Sequence, residues 1–414
     1  MYSLALEAIT RVINEEGFIN IVINESLKKK TLTVHEKKLF TKIVYGVCEN
    51  KILLDYYLKP YISGKRLKPY LKNSLRIGVY AFFFMDIANH YVLNSLVDLV
   101  KKKDFKGSKL VNGVLRSILR EGLKEVKVNN HLEELSIKCS YDLGIVKLLN
   151  KYYPKELEGI LKHSENVLNT YRINTHNIEI KELYAMLDQD NITYDPHESL
   201  FYSKEMLVDT KYFKEGLITL QDYSSQLVST IINPSKDNCI LDMCSAPGSK
   251  SCHLASLMKN SGKVVSLDIY EHKLELIKEA ANRMHLDIIE TRLIDATKFN
   301  SNELFDVVLT DVPCSGTGVM RHKVDLKYKD IAANITSITT LQKQILENGS
   351  LFVKDGGVLC YSTCSIIPLE NELLIKEFLL KHPEYKIEKE IKLLPTNLQD
   401  GFYICKMIKI KGGK

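Results

Sequence analysis

At 414 residues the chain exceeds one ordinary core, so two or three domains are expected. Its 45% hydrophobic and 26% charged residues exclude a disordered protein, and no uninterrupted apolar run is long enough to span a bilayer. The net charge of +6 hides an asymmetry: residues 1–128 hold 23 Lys/Arg against 12 Asp/Glu, and the remainder 34 against 39. A basic front end predicts contact with a polyanion, the alternative being ordinary solvated Lys-rich helices. The opening residues Met1–Glu7 lack the layout of a signal peptide. Nine cysteines, an odd number without regular spacing, read as reduced thiols, and a cytoplasmic location is expected. With no CxxC pair, no structural zinc site and no metal are expected.

In chain order, residues 1 to about 127 predict an all-helical bundle of five to seven helices. Leu4, Ala5, Ala8, Ile9, Val12 and Ile13 recur at helical spacing, and the pattern returns over 38–47, 72–84, 92–101 and 109–119. Pro60, Gly64 and Pro69 mark the clearest interruption, and the clusters Lys28–Lys30, Lys65-Arg66 and Lys101–Lys103 fall at element ends. A mixed α/β connecting stretch follows, with a helical patch at 145–152, a strand over Thr170–Asn174 and a helix over 180–187. The strand residues Tyr171-Arg172-Ile173-Asn174 suit either RNA contact or plain structure. From about Leu217 strands alternate with helices, the signal of a parallel sheet with crossover helices. Strands are expected at 239–243, 263–268, 287–293, 304–310, 357–361 and 401–410, and helices at 249–259, 271–284 and 338–353. The fold class is therefore multidomain: 1–128 helical, 129–216 a small α/β connecting subdomain, 217–414 an α/β Rossmann-like domain.

Ligands of open α/β sheets bind beyond the carboxyl ends of the strands, and the chemistry-bearing residues cluster there. The first strand runs into Asp242-Met243-Cys244-Ser245-Ala246-Pro247-Gly248-Ser249-Lys250, a small-residue turn ahead of a helix N-terminus that suits a polar ligand. Asp268 ends the second strand about where ribose hydroxyls are bound in such sheets, and Asp295 ends the third, where a carboxylate or adjacent amide can meet an adenine edge. This is not GxGxxG, which argues against a nicotinamide cofactor. Asp242 alone would pass for a structural turn residue; acidic residues at three successive strand ends point to a cofactor. Two cysteines then follow strands in polar loops, Asp311-Val312-Pro313-Cys314-Ser315-Gly316-Thr317-Gly318 and Ser362-Thr363-Cys364-Ser365. Two thiols at the same edge suggest covalent chemistry, the alternative being buried strand-end cysteines. Cys360 reads as core, and Cys48, Cys139, Cys239, Cys252 and Cys405 as structural.

These segments resemble the RNA (cytosine-5)-methyltransferases of the NOL/NOP/Sun family. Lys109–Arg116 resembles a signature of the NusB-like helical domain found in some members, Gln221–Gln226 the segment that opens the catalytic domain, and Asp400–Tyr403 its closing strand. The resemblance implies S-adenosyl-L-methionine as cofactor, held by Cys244, Ser245, Ala246, Pro247, Gly248, Ser249, Lys250, Asp268, Asp295 and Asp311. It implies Cys364 as nucleophile, Cys314 as the residue assisting proton removal or enzyme release, and Asp311 as a contact to the cytosine ring. Small-subunit (16S) ribosomal RNA is the implied partner and a monomer the expected state. The same chemistry on transfer RNA, and a non-catalytic RNA-binding assembly or antitermination factor, are the alternatives. A DNA methyltransferase would use the PC cysteine, so the TCS motif argues against it. Two departures carry expectations. Ser249 stands where the family has glycine, strained if that position needs positive φ and harmless if it starts the helix. Arg321–Tyr328 lacks the family's proline, which puts the RNA contacts of that loop in question.

Overall fold

The computed structural model describes residues 1–162 and 168–410, which form two compact units, Met1–Lys162 with Met320–Ala332, and the remainder.

The first unit is helical: α1 (Tyr2–Asn14), α2 (Ile19–Lys29), α3 (Val34–Glu49), α4 (Lys51–Ile62), α5 (Pro69–Phe84), α6 (Asn89–Lys101), α7 (Phe105–Glu121), α8 (His131–Lys138), α9 (Leu143–Tyr152) and α10 (Leu157–Lys162). Local chemistry sets the ends. Thr33 and Glu36 form a reciprocal capping box ahead of α3, Asp104 accepts from the Gly107 amide to start α7, and Pro69 occupies the first turn of α5. Helix α5 lies in the centre, with Leu75, Ile77, Val79 and Ala81 fully buried. Its Arg76 is buried too and reaches Asp55 of α4 through Nε–Oδ1 at 2.8 Å and Nη2–Oδ2 at 2.7 Å. Burial alone would raise the Asp55 carboxyl, but Arg76 and Lys72 hold it below the usual range. Residues 131–162, placed by sequence in the connecting stretch, group with this unit. So does the segment after the Cys314 loop: Val324 joins the helical core, and Lys327, 2% exposed at its side chain, pairs with Glu49 at 3.0 Å. Lys327 is thus a structural cation of this unit.

The second unit continues with β1 (Asn169–Ile173), α11 (Ile180–Gln189), β2 (Asp195–His197), β3 (Leu200–Ser203), α12 (Lys211–Lys214) and β4 (Ile218–Leu220). The four strands make an antiparallel sheet in the order β2-β3-β1-β4, with Leu183 and Leu187 of α11 in its core. Tyr171, Arg172, Ile173 and Asn174 are all buried. Arg172 donates to Gln221 Oε1 at 2.8 Å, and burial lowers its pKa to about 10. Of the two readings of this strand, the structure takes the structural one.

Then come α13 (Tyr223–Ile232), β5 (Cys239–Asp242), α14 (Ser249–Leu257), β6 (Lys263–Asp268), α15 (Glu271–Arg283), β7 (Ile289–Leu293), β8 (Phe305–Asp311), α16 (Ile331–Ser350), β9 (Val353–Thr363), α17 (Glu372–Lys381), β10 (Tyr385–Leu393) and β11 (Phe402–Lys409). The seven-stranded order is β10-β11-β9-β8-β5-β6-β7, with β7-β6-β5-β8-β9 parallel and β11 antiparallel to both neighbours. Alternate residues feed two cores. Leu241, Val265, Val308 and Leu359 pack with Leu346 and Phe378, while Ile240, Val264, Val307 and Cys360 pack with Cys252 and Met258. Burial on both faces is why these strands read as near-continuous apolar runs.

Candidate active site

The chain reverses its winding direction between β5 and β8, which pair directly, with Asp242 opposite Leu309. That is the switch point where such sheets bind ligands. Asp242 is buried, its Oδ2 accepts from Ser251 at 2.6 Å, and its Oδ1 is buried without a hydrogen-bond partner. Burial, then the neighbouring Asp311, raises its pKa to about 6 against Ser251 and Lys250.

The turn after β5 is built as a cradle. The Ser245 amide donates to Leu267 O at 2.9 Å, its hydroxyl to Asp242 O at 2.8 Å, and the Ala246–Pro247 peptide is cis. Gly248 has φ +98°, a conformation that favours glycine, and a Cβ there would sit tightly at 3.1 Å from the Ile277 backbone. Ser249 opens α14 outside the positive-φ residues, which is the harmless outcome for that position. Cys244 is held as a thiol, first by burial and then by Asp242, Asp311 and Asp268, whose fields converge on it. Asp268 accepts from the Tyr270 amide at 3.0 Å. Asp295 is turned partly on its own loop, where Oδ1 accepts from the Thr297 amide and hydroxyl at 2.9 and 2.8 Å and holds the carboxyl below its usual range.

The register of β8 against β9 brings the cysteines together. Asp311 sits opposite Ser362, so the two parallel strands release their loops side by side, Cys314 three residues beyond the end of β8 and Cys364 one beyond the end of β9. Their sulfurs lie 2.8 Å apart. Cys314 keeps its proton: the hydrogen bond with Cys364, then burial, push its pKa far up. Asp311 accepts from Ser362 at 2.7 Å on Oδ1 and pairs with Lys250 at 2.7 Å on Oδ2. Burial would lower Lys250, but Asp311 and then Cys364 overcome it and hold the ammonium charged. The closing strand joins the same point. Tyr403 of β11 pairs with Thr363, the Gly318 amide donates to Cys364 O, and the Gly401 amide donates to Gly318 O, both at 2.9 Å. A Cβ on Gly318 would stand 2.0 Å from Gly401 O. The opening segment is tied in as well, since Asp400 N donates to Asp222 at 3.1 Å and Ser224 Oγ to Asp400 O at 2.7 Å.

Cys364, Cys314, Asp311 and Lys250 therefore form one cluster, and Asp242, Cys244 and Asp268 adjoin it through the switch point. Asp295 stands one strand further along the edge, in the loop after β7. Sequence reasoning missed Ser362, which steadies Asp311, and Glu370, which is bonded to both cysteine loops. Ser362 is readable as the register partner of Asp311 only once the strands are paired.

A doubly wound sheet of this kind carries a polar-ligand cradle at its switch point beside two facing thiols, the layout of an enzyme site. The profile of the 16S rRNA methyltransferase RsmB/F family matches residues 229–408, and that of the NusB family residues 3–120. Probable ribosomal RNA small subunit methyltransferase B of Bacillus subtilis (strain 168) is 34% identical over 437 aligned residues, covering 98% of each chain. The protein of the same description from Synechocystis sp. is 30% identical, covering 97% of this chain and 98% of that one. The crystal structure of PH0851 superposes with a TM-score of 0.83 at 25% identity, covering 98% and 97% of the two chains. The chain belongs to the ribosomal RNA small subunit methyltransferase B family. No helix among the described residues is long and apolar enough to cross a membrane.

Proposed function

We propose that this protein methylates C5 of a cytosine in 16S ribosomal RNA through a covalent Cys364 adduct, with S-adenosyl-L-methionine as the methyl source. The observation that carries the reading is the Cys314–Cys364 pair, 2.8 Å apart, at the strand edge that also holds the Lys250–Asp311 pair at 2.7 Å.

The residues fit the cofactor. Asp242 Oδ1 is a buried acceptor without a partner, suited to an ammonium or hydroxyl group, and Gly248 keeps the turn open for close backbone approach. Residues 244–250 would hold the polar end and Asp268 the ribose, with Asp295 near the base and Asp311 beside the reacting centre. When bound, the cofactor supplies an electrophilic methyl group.

Cytosine C5 is a weak nucleophile. Addition of the Cys364 thiolate to C6 breaks the ring's aromaticity and makes C5 enamine-like. C5 then takes the methyl group, and loss of the C5 proton expels Cys364 and restores the ring. Three features of this chain support that sequence. Lys250 provides the nearby positive charge that favours a thiolate at Cys364. Once Cys364 is a thiolate it can only accept, so Cys314 becomes the donor to the attacking sulfur and favours its charged form. Once Cys364 is bound to the ring, Cys314 loses the partner that chiefly raises its pKa; it can then release its own proton to solvent and, as thiolate, accept the C5 proton. Asp311 is steadied on both oxygens by Lys250 and Ser362, and each oxygen keeps a lone pair for the protonated N3 or the exocyclic amine. The basic residues 1–128 supply phosphate contacts that offset the cost of extracting a base from its stack, and residues 217–414 carry the chemistry.

The test is transfer of labelled methyl from S-adenosylmethionine to small-subunit rRNA by wild type, Cys364→Ala and Cys314→Ala. Label at cytosine C5, lost in Cys364→Ala, with an RNA–protein adduct trapped in Cys314→Ala, is the expected result. Label on transfer RNA alone would replace the substrate, and activity surviving in Cys364→Ala would remove the mechanism.

A further inference from the structure

Beneath the two cysteines lies a buried polar cluster that the reaction scheme does not use. Glu370, in the short turn Pro368–Glu370 after the Cys364 loop, is fully buried. Its Oε1 accepts from the hydroxyls of Ser315 and Ser365, each at 2.5 Å. Its Oε2 accepts from the Ser315 amide at 2.8 Å and from Gln342 Nε2 at 2.9 Å. Ser315 is the residue after Cys314, and Ser365 the residue after Cys364. The same Gln342 amide donates to Pro313 O at 2.9 Å, on the other side of Cys314. One carboxylate thus grips both thiol-bearing loops next to the sulfurs.

The direction of the hydrogen bonds explains why the group is an acid. The Ile367 amide donates to Ser365 Oγ and the Ile366 amide to Thr317 Oγ1, both at 3.0 Å, and Thr317 Oγ1 lies 3.0 Å from Ser365 Oγ. With a lone pair facing the Ile367 amide, Ser365 turns its proton to Glu370, which with the Ser315 hydroxyl and amide and the Gln342 amide accepts from four directions at once. A carboxylate can do so; an amide of the same shape would turn a donor toward at least one of the four.

We propose that Glu370 is a positioning residue whose carboxylate sets the separation of Cys314 and Cys364. The inference rests on the two-cysteine reading of the reaction, but the sulfur separation can be read without any reaction. Diamide joins two thiols in a disulfide while being reduced to the hydrazine, and the Cys314–Cys364 link is measured by peptide mass in the full-length protein. In Glu370→Gln, disulfide formation should slow by about tenfold, because bond formation demands a narrow Sγ geometry. Single-turnover methyl transfer should fall by roughly 10²-fold, the size of loss expected when reacting groups move by about 1 Å. Binding of S-adenosylmethionine by calorimetry should be unchanged. Wild-type oxidation in Glu370→Gln overturns the proposal, as does loss of activity only in step with loss of cofactor binding. Should Glu370→Gln not fold, Ser365→Ala, which removes one donor and keeps the carboxylate, decides: slowed oxidation with intact cofactor binding supports the clamp, and wild-type oxidation removes it. If wild type methylates no RNA while oxidation still slows in Glu370→Gln, the functional reading fails and the clamp stands.

Discussion

At the level of single residues the site works by placing charges where burial alone would remove them. Lys250 is the clearest case, an ammonium kept charged in a buried place by Asp311 and Cys364. Lys250→Met should cut methyl transfer by about 10²-fold or more, comparable to removing a preorganised electrostatic partner. It should also move the acidic limb of the pH–rate profile upward, since a cation favouring the thiolate is gone; an unmoved limb would mean that Lys250 acts on Asp311 alone. Asp242 shows the opposite balance. Its pKa rises from 3.8 to about 6 on folding, so folding holds its proton more tightly. The contribution favours the folded state below the unfolded value and is lost as pH rises through about 6. Asp242→Asn carries no such loss. In urea unfolding without cofactor it should therefore gain on wild type by roughly 1–2 kcal/mol between about pH 5 and about pH 7.5, since each tenfold change in proton affinity is worth about 1.4 kcal/mol. A pH-independent difference between the two proteins would show that Asp242 is not the group responsible.

Among the elements, the positions that matter are those where two pieces of backbone meet. Gly248→Ala puts a side chain at φ +98° against Ile277 and should cost about 1–3 kcal/mol of stability, the range for a residue forced into a sparsely populated conformation. Ser249→Gly, one residue on, should stay within about 1 kcal/mol, the interior helix penalty of glycine, because Ser249 only starts α14. Thermal unfolding of the pair separates the two positions, and equal losses would refute the assignment. The elements also show what sequence can and cannot mark. The apolar runs of β5, β6 and β8 are legible because burial on both faces leaves no polar interruption. Strand β10 is not: Tyr385–Leu393 alternates charged residues along an exposed edge, paired only to β11. Such a strand is held by ladder hydrogen bonds and neighbours, and its composition resembles a solvated helix face. Apolar spacing places the start of α16 at residue 338, whereas the helix begins at Ile331.

Across the whole molecule, charge separates the two ends of the chain. The surplus of 23 Lys/Arg over 12 Asp/Glu in residues 1–128 predicts that binding to small-subunit rRNA weakens linearly in log K against log salt, with a slope near about −0.7 to −0.9 per phosphate neutralised. A flat dependence in filter binding would dissociate that surplus from RNA contact. Lys327 should not contribute to the slope, because its charge is committed to Glu49 inside the helical unit. Lys327→Met should instead lower the stability of that unit by about 1–3 kcal/mol, less than for a fully enclosed pair since Glu49 keeps 31% of its exposure.

Consecutive positions are enough to specify the helical front, the parallel sheet behind it, the strand ends that carry Asp242, Asp268, Asp295 and Asp311, and the two cysteine loops. These are local properties: periodicity, small-residue turns and residue type at the end of an apolar run are written in neighbouring residues. Which of those ends meet is fixed by the folded chain alone. The 2.8 Å between Cys314 and Cys364 depends on the β8–β9 register across 50 residues of chain, and the Lys250–Asp311 pair on the adjacency of β5 and β8. Buried Arg172, in a strand whose sequence suits either RNA contact or structure, and Lys327, in the loop whose RNA contacts the missing proline puts in question, are structural through Gln221 and Glu49, which lie 49 and 278 residues away. Glu370 is one acid in a largely apolar stretch until four donors from three separate segments converge on it. A hydrogen bond's meaning is set by what closes it, and in this chain the closing groups come from distant positions.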